Sequence, residues 1–144
     1  MTQWTAFVSC TKAKRAVPCA ARDLYISPLF RGLREYAESS ADRWFILSAK
    51  YGILGPEEIV EPYDRTLNKM SKAERLAWWS DVKRDLIRIV PERSQVMLLA
   101  GSRYRENIEP FLRRLNCEVE IPLEGLTLGR QLAWLKAAHD AHSR

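Results

Sequence analysis

Four side chains suited to chemistry lie at the ends of short apolar runs or in irregular segments of the sequence. They are Ser9, Lys50, Asp64 and Glu124. A carboxylate can act as a general base or offset the positive charge that develops at a glycosidic carbon. A desolvated lysine amine can neutralise a phosphate or attack an anomeric carbon. We therefore predict that these residues are catalytic.

A second set of polar, basic and aromatic residues accompanies them and is suited to binding. Lysine and arginine neutralise phosphates, tyrosine rings stack on bases, and arginine and glutamine pair with base edges. The predicted binding residues are Cys10, Lys12, Lys14, Arg15, Arg22, Tyr25, Ser27, Ser48, Tyr51, Gly52, Tyr63, Ser102, Arg103, Tyr104 and Gln131. Gly52 is included because it supplies a positive φ for its turn. The same residues can be explained without a ligand, as solvated basic loops, core tyrosines, a small buried cysteine and helix-end ion pairs. The sequence leaves both explanations open.

These residues need a scaffold that brings them together, and short apolar runs indicate its strands. Runs of aromatic and β-branched residues are typical of buried strands, and strict alternation is typical of an edge strand. The predicted strands cover residues 4–9, 44–48, 95–101 and 117–122. The segment EPYDRTL is too irregular for a strand and too long for a simple turn, so we predict a pocket wall or lid there.

Amphipathic helices lie between and after the predicted strands. The first has Ser27 as N-cap and Pro28 at its first position, and the longest begins with a capping box of Ser71 and Glu74. The spacing in the longest helix predicts a buried stripe of Leu76, Trp79, Val82, Leu86 and Ile89. Two further helices are predicted in RENIEPFLRRL and GRQLAWLKAAHDA.

The alternation of strands and helices predicts an α/β fold with right-handed crossovers. We expect a single three-layer domain over residues 1–144. It should contain a mainly parallel sheet of about four strands with helices on both faces. Ligands of open α/β sheets bind at the carboxyl ends of the strands, so the predicted site residues should meet there.

Composition narrows the class of protein. The fractions of 47% hydrophobic and 28% charged residues are typical of a folded soluble domain. No apolar run approaches the roughly 20 residues that span a bilayer, and the N-terminal residues lack the pattern of a signal peptide. We therefore expect a cytoplasmic protein with no membrane partner.

Cysteine, histidine and charge content bear on cofactors and partners. The three cysteines have no C-x-x-C spacing and both histidines lie near the C-terminal end, so we predict no metal or other cofactor. The 23 Lys and Arg against 18 Asp and Glu give a net charge of +5, which favours a polyanionic partner. The expected partner is DNA or RNA, or a nucleobase or nucleoside, and the oligomeric state stays open.

Six motifs occur in order along almost the whole chain: SCTKAK, ARDLYISPLF, WFILSAKYGIL, PYDRTL, AGSRY and PLEGLTLGRQLAWL. Their combination resembles a family of short bacterial and phage proteins known as a domain of unknown function. The stretch LSAKYGILGPEEIVEPYDRTL is similar to the YaaA peroxide-stress protein family, whose members are associated with DNA binding. SCTKAK together with LYISPLF is distantly similar to the catalytic domain of archaeosine synthase, an enzyme of deazaguanine tRNA modification.

These resemblances imply a YaaA-like α/β domain with a nucleic-acid or nucleobase-related role. Together with the candidate carboxylates, they favour an enzyme that cleaves or exchanges an N-glycosidic bond, as a DNA or RNA glycosylase or a base-modifying enzyme does. A non-catalytic DNA- or RNA-binding stress-response module is the main alternative. An enzyme that acts on a small nucleotide or phosphate ester is a third.

Overall fold

A central sheet and its covering helices occupy residues 3–142, the part of the chain that the computed structural model describes. In chain order the elements are β1 (Trp4–Ser9), β2 (Cys19–Ala20), α1 (Ala21–Leu24), α2 (Pro28–Ser40), β3 (Arg43–Ser48), β4 (Gly52–Leu54), β5 (Ile59–Val60), a 3-10 turn (Leu67–Lys69), α3 (Lys72–Ile89), β6 (Gln95–Leu99), α4 (Ser102–Arg105), α5 (Ile108–Arg114), β7 (Glu118–Glu120) and α6 (Leu128–His142). No helix within these described residues is long and apolar enough to cross a membrane.

The central sheet has five strands in the order β4-β3-β1-β6-β7. Four of them run parallel, and β4 pairs antiparallel with β3. Phe7 of β1 pairs with Phe45 of β3 on one side and with Leu98 of β6 on the other, so β1 lies at the centre. A separate two-stranded sheet contains β2 and β5. The predicted α/β fold with a mainly parallel sheet is confirmed, although the sheet has five strands.

The additional strand, β4, results from the turn that follows β3. Gly52 has a φ of 75°, in the left-handed region that glycine adopts without steric cost. The chain therefore reverses, and Leu54 pairs back with Ile46 of β3. The positive φ predicted for Gly52 is confirmed.

Helices cover both faces of the sheet. Four consecutive residues are buried in both β1 (Thr5–Val8) and β6 (Val96–Leu99), which requires packing on both faces. One helical layer has α2 against β1 and β3, with α6 packed on α2, where a Cβ at Gly32 would lie 3.0 Å from Leu135 Cδ1. The other has α3 against β4 and α5 against β7. These two helical layers produce the predicted three-layer arrangement.

The helix caps are confirmed, and so is the burial of Val82 and Leu86 in the predicted stripe of α3, whose Trp79 and Ile89 are half-buried. Ser27 Oγ accepts a hydrogen bond from the Phe30 amide, and the capping box at the start of α3 is complete. The buried residues of α3 are Arg75, Trp78, Val82 and Leu86, whereas Leu76 is 46% exposed. The prediction for Leu76 is wrong because Arg75 occupies the inward position. Its guanidinium pairs with Glu106 and donates to the Met70 carbonyl at 2.8 Å, which compensates for its burial.

The strand order determines where a ligand crevice lies. From β1 the chain continues to its neighbour on one side, β3, and later crosses to its neighbour on the other side, β6. The connections that leave β1 and β6 therefore diverge. In open α/β sheets such a switch point leaves a crevice at the carboxyl ends of the two strands.

Candidate functional site

A cavity of about 770 Å³ opens at the carboxyl ends of β1 and β6. Its wall comes from the loop after β1, the segment around residues 64–69, the chain from Leu99 to Arg105, and residues between β7 and the first turn of α6. This is the switch point of the sheet. The volume lies within the range of roughly 300–1,000 Å³ that is typical of small-molecule sites. The cavity is therefore large enough for a nucleotide.

The structure brings many of the predicted site residues together at this cavity. Those that line it are Ser9, Cys10, Lys12, Lys14, Asp64, Ser102, Tyr104 and Gln131. They come from four separate stretches of sequence, as expected if the carboxyl ends of parallel strands meet at one edge.

The cavity wall is strongly basic. Its cationic residues are Lys12, Lys14, Arg65, Lys69 and Arg105, and Asp64 is its single carboxylate among the described residues. Arg105 is neutralised by Glu109 and Glu124, at 3.4 and 2.9 Å. Within residues 3–142 the other cations have no carboxylate within 4.0 Å. An excess of unpaired positive charge in a concave site favours an anionic ligand.

Asp64 lies in the irregular segment between β5 and the 3-10 turn, as the sequence predicted for EPYDRTL. Its side chain is exposed and lines the cavity. Across the described part of the chain, no hydrogen bond or ion pair occupies the Asp64 carboxylate. A carboxylate in this situation is free to meet a proton or a developing positive charge on a ligand.

A chain of hydroxyl groups anchors this segment to the sheet. Ser48 Oγ donates to the Tyr63 hydroxyl at 2.8 Å, and the Tyr63 hydroxyl lies 2.7 Å from that of Tyr25. Ser48 Oγ also accepts hydrogen bonds from the amides of Lys50 and Tyr51. Burial raises the pKa of both Tyr25 and Tyr63 above the ordinary value, so both phenols are neutral. The chain of hydroxyl groups therefore fixes Tyr63, the residue that precedes Asp64.

Tyr63→Phe is expected to lower the free energy of unfolding by about 1–3 kcal/mol, because it leaves two buried hydroxyl groups without their partner. Tyr25 is 2% exposed and Ser48 is fully buried. Tyr36→Phe is the matched control, since Tyr36 is half-buried against Trp134 and its hydroxyl has no hydrogen bond within residues 3–142. Chemical denaturation of the two variants measures the difference. Equal losses of stability would show that the hydroxyl chain is not stabilising.

Lys14 is held against these tyrosines. Its Nζ lies 4.4 Å from the centroid of the Tyr63 ring and 5.7 Å from that of Tyr25, and it donates to the Lys12 carbonyl at 3.1 Å. Burial lowers the pKa of Lys14, while the nearby Cys10 and Asp64 act in the opposite direction. Lys14 is thus the most closely confined of the lysines that line the cavity.

Cys10 and Tyr104 form part of the cavity wall. Cys10 Sγ lies 3.3 Å from the Tyr104 hydroxyl, which also accepts a hydrogen bond from the Leu67 amide at 3.4 Å. Burial raises the pKa of Tyr104, so this phenol is neutral too. The contact joins the loop after β1, the chain after β6 and the 3-10 turn.

Two of the predicted catalytic residues do not line the cavity. Lys50 is exposed, with its ammonium 5.1 Å from the centroid of the Tyr51 ring. Glu124 is also exposed, and its carboxylate pairs with the lining residue Arg105 without lining the cavity itself. Only Ser9 and Asp64 of the predicted catalytic set lie at the cavity.

The remaining predicted binding residues also lie outside the lining. Ser27 caps α2 and donates to Thr11 Oγ1 at 2.9 Å, so it positions a lining residue indirectly. Gly52 forms its turn at the opposite edge of the sheet from β7. Arg15 donates to the Asp23 carbonyl. Arg22 pairs with Asp23 and Glu57, and Arg103 pairs with Glu106. The open alternative of a helix-end ion pair therefore describes Arg22.

Several lining residues were not among the individually predicted catalytic and binding residues, although Arg65 and Thr66 belong to the predicted wall segment EPYDRTL. They are Thr11, Leu29, Leu33, Arg65, Thr66, Asn68, Lys69, Leu99, Ala100, Gly101, Arg105, Leu123, Gly125 and Leu126. Arg65 could have been predicted from its position beside Asp64 in the sequence. Lys69 carries no such signal, because it reaches the cavity through a 3-10 turn that the sequence pattern did not indicate.

Potential metal ligands do not cluster at this cavity. Within the described residues, no group of three or more His, Cys, Asp and Glu side chains is arranged to hold a metal ion. The lining side chains offer amines, guanidinium groups, a carboxylate, a thiol and hydroxyls.

Comparison with known proteins gives a family without an assigned activity. The uncharacterized protein YfjM of Bacillus subtilis (strain 168) is 44% identical over 52 residues, a stretch that covers 35% of each chain. The aligned part thus spans about a third of that relative's length. Residues 5–137, nearly the whole chain, match a family of unknown function. The chain therefore belongs to the family DUF6884.

Proposed function

We propose that this protein binds a nucleobase-containing substrate within DNA or RNA and cleaves or exchanges its N-glycosidic bond. One observation carries the proposal. Among residues 3–142, the single carboxylate of the cavity, that of Asp64, has no partner and shares about 770 Å³ with several cations that lack acidic partners. The cations suit phosphates, and the carboxylate suits the cationic sugar formed when a glycosidic bond breaks.

The basic residues supply the binding part of this function. Lys12, Arg65 and Lys69 are exposed at the cavity, where they are accessible to the phosphates of a strand. Leucines on the wall, such as Leu29 and Leu123, offer apolar contact to a base taken out of the stack. The cavity is therefore suited to a flipped nucleotide.

Asp64 supplies the chemical part. Loss of a base from C1′ develops positive charge on the sugar, and a carboxylate nearby offsets that charge. The same carboxylate can activate a water molecule or an exchanging nucleophile as a general base. No other group within residues 3–142 forms a hydrogen bond or ion pair with this carboxylate, so it is available to a ligand.

The sequence resemblances support the same proposal. Residues 47–67, similar to the YaaA family, contribute the hydroxyl chain through Ser48 and Tyr63 and the carboxylate of Asp64. SCTKAK, distantly similar to archaeosine synthase, contributes the loop after β1. A YaaA-like ancestry and a nucleobase substrate are thus part of the proposal.

Release of bases from oligonucleotides tests the function. Single- and double-stranded DNA and RNA with a panel of modified and damaged bases are incubated with the protein, and free bases and abasic sites are quantified. We expect release from at least one member of the panel. No release across the panel, together with retained binding, would favour a non-catalytic DNA- or RNA-binding module.

A specific observation favours that module as the second candidate. Glu124, the second predicted catalytic carboxylate, is engaged by Arg105 and does not line the cavity. Asp64 alone would then have to serve the reaction. A binding module needs only the basic wall.

Lys12→Ala and Lys69→Ala are each expected to weaken nucleic-acid binding and to reduce the slope of log K against log salt concentration by about 1, because each removes one phosphate contact. Lys136→Ala is the control, since Lys136 is exposed on α6 and does not line the cavity. Fluorescence anisotropy over a salt series measures the slope. Equal slopes for all variants would place the phosphates elsewhere.

A further inference from the structure

We infer that Lys14 is the nucleophile at this site and forms an imine with C1′ of the substrate's sugar. The inference rests on the proposed function and specifies its chemistry. The sequence assigned this kind of attack to Lys50, which the structure places outside the cavity lining.

The backbone around Lys14 is fixed by pairing with the segment at Tyr25. Lys14 and Tyr25 form an antiparallel bridge, with hydrogen bonds from Arg15 N to Leu24 O at 2.8 Å and from Ile26 N to Ala13 O at 3.0 Å. The lysine stem therefore starts from a backbone paired like a strand, not from a free loop. A nucleophile needs such preorganisation to approach one carbon reproducibly.

The amine itself is confined in the wall of the cavity. Nζ lies 4.4 Å from the centroid of the Tyr63 ring and donates to the Lys12 carbonyl. Tyr63 belongs to the hydroxyl chain and directly precedes Asp64 in sequence. One anchored unit thus carries both the amine's aromatic support and the carboxylate that would offset charge on the sugar.

The other lysines at the cavity lack these features. Lys12 and Lys69 are exposed, and within residues 3–142 neither side chain makes a hydrogen bond, ion pair or ring contact. Desolvation lowers the pKa of Lys14 and so increases the fraction of neutral amine. Lys12 and Lys69 are placed for phosphates and Lys14 for chemistry.

The reaction balances without an oxidant, and water is its only further reactant. The neutral Lys14 amine attacks C1′, and the C1′–N glycosidic bond breaks with its electron pair leaving on the base. One amine proton passes to the base. The C1′–O4′ bond then opens as C1′=N forms, and the second amine proton passes to O4′. Water hydrolyses the imine, which returns the amine and leaves the sugar as its aldehyde.

Reductive trapping tests the inference. The protein is incubated with borohydride and either an abasic oligonucleotide or the substrate found by base release, and the reduced adduct is mapped by mass spectrometry. We expect an adduct on Lys14, lost in Lys14→Met and Lys14→Arg but retained in Lys136→Met. Mapping on the unmutated protein keeps the test valid if a variant folds poorly.

The outcomes separate this inference from the proposed function. Base release without any trapped adduct, or with an adduct only on Lys12, Lys50 or Lys69, would overturn the role of Lys14 and leave the glycosidic reaction standing. If no base is released but an adduct forms on Lys14 with abasic DNA, the amine chemistry would be supported and the base-release reaction would be contradicted. No adduct with either substrate would also overturn the inference.

Discussion

Asp64→Asn is expected to reduce the rate of base release by about 10²-fold to 10⁴-fold, the range attributed to a general base. Asparagine has nearly the same shape but carries no negative charge and cannot accept a proton. Because Asp64 makes no hydrogen bond or ion pair within the described residues, the substitution removes no stabilising contact. The loss of rate would therefore report on chemistry, and single-turnover base release measures it.

Nucleic-acid affinity should not fall in Asp64→Asn. The substitution removes the single carboxylate among the described lining residues and leaves the surrounding cations in place. Less repulsion of phosphate should leave the dissociation constant equal or lower. Anisotropy at a fixed salt concentration, on the same oligonucleotide that is used for base release, measures the affinity.

Asp140→Asn is the matched control for this prediction. Asp140 is exposed on α6 and does not line the cavity, so its variant should bind and react like the unmutated protein. An unchanged rate in Asp64→Asn would show that this carboxylate does not serve the reaction. A wild-type protein that binds but never releases a base would assign the cavity to the non-catalytic module.

The strands and caps were predictable because local patterns determine them. The run at 44–47 is apolar throughout, since both faces of its strand are covered, and a glycine soon after its carboxyl end reverses the chain. The predictions of Ser27 and Ser71 as N-caps are correct because a cap depends on residues within a single turn of helix. Such features need no knowledge of the rest of the chain.

The position of Lys50 shows what local sequence patterns do not predict. The sequence places Lys50 after a parallel strand, as it places Ser9, and the two positions look equivalent. The strand order makes them different, because β3 continues to the edge strand β4 while the cavity lies between β1 and β6. Strand order depends on long-range pairing that a single sequence does not reveal.

Long-range tertiary contacts explain the hydrogen-bond partners that the sequence did not predict and the exposure of Leu76. Tyr25 and Tyr63 meet from 38 positions apart, and Arg75 is buried because Glu106 lies opposite. Neither partner can be read from helical or strand periodicity. Periodicity expects an apolar residue at the inward position, so it selected Leu76.

Trp78→Ala is expected to lower the free energy of unfolding by about 3–5 kcal/mol, the usual cost of removing a buried tryptophan side chain. Trp78 is 9% exposed on α3, and its ring contacts that of Tyr104 edge-on with centroids 5.9 Å apart. Its indole N–H donates to the Ser48 carbonyl at 2.9 Å. The side chain therefore joins α3 to β3 and to the cavity wall, and chemical denaturation measures its contribution.

Substitutions at the neighbouring Trp79 show whether the cost comes from the contacts of Trp78 or from removing any tryptophan of α3. Trp79 is half-buried with its ring against Phe111, and its indole N–H makes no hydrogen bond within the described residues, so Trp79→Ala should cost less than Trp78→Ala. Trp78→Phe keeps an aromatic ring but loses the hydrogen bond, at about 1 kcal/mol, whereas Trp79→Phe loses none. Equal costs for the two alanine variants would mean that the junction at Ser48 is not a main support of the fold. A larger cost at Trp78, accompanied by slower base release, would show that α3 stabilises the cavity wall through Tyr104 without contributing a residue to the cavity lining.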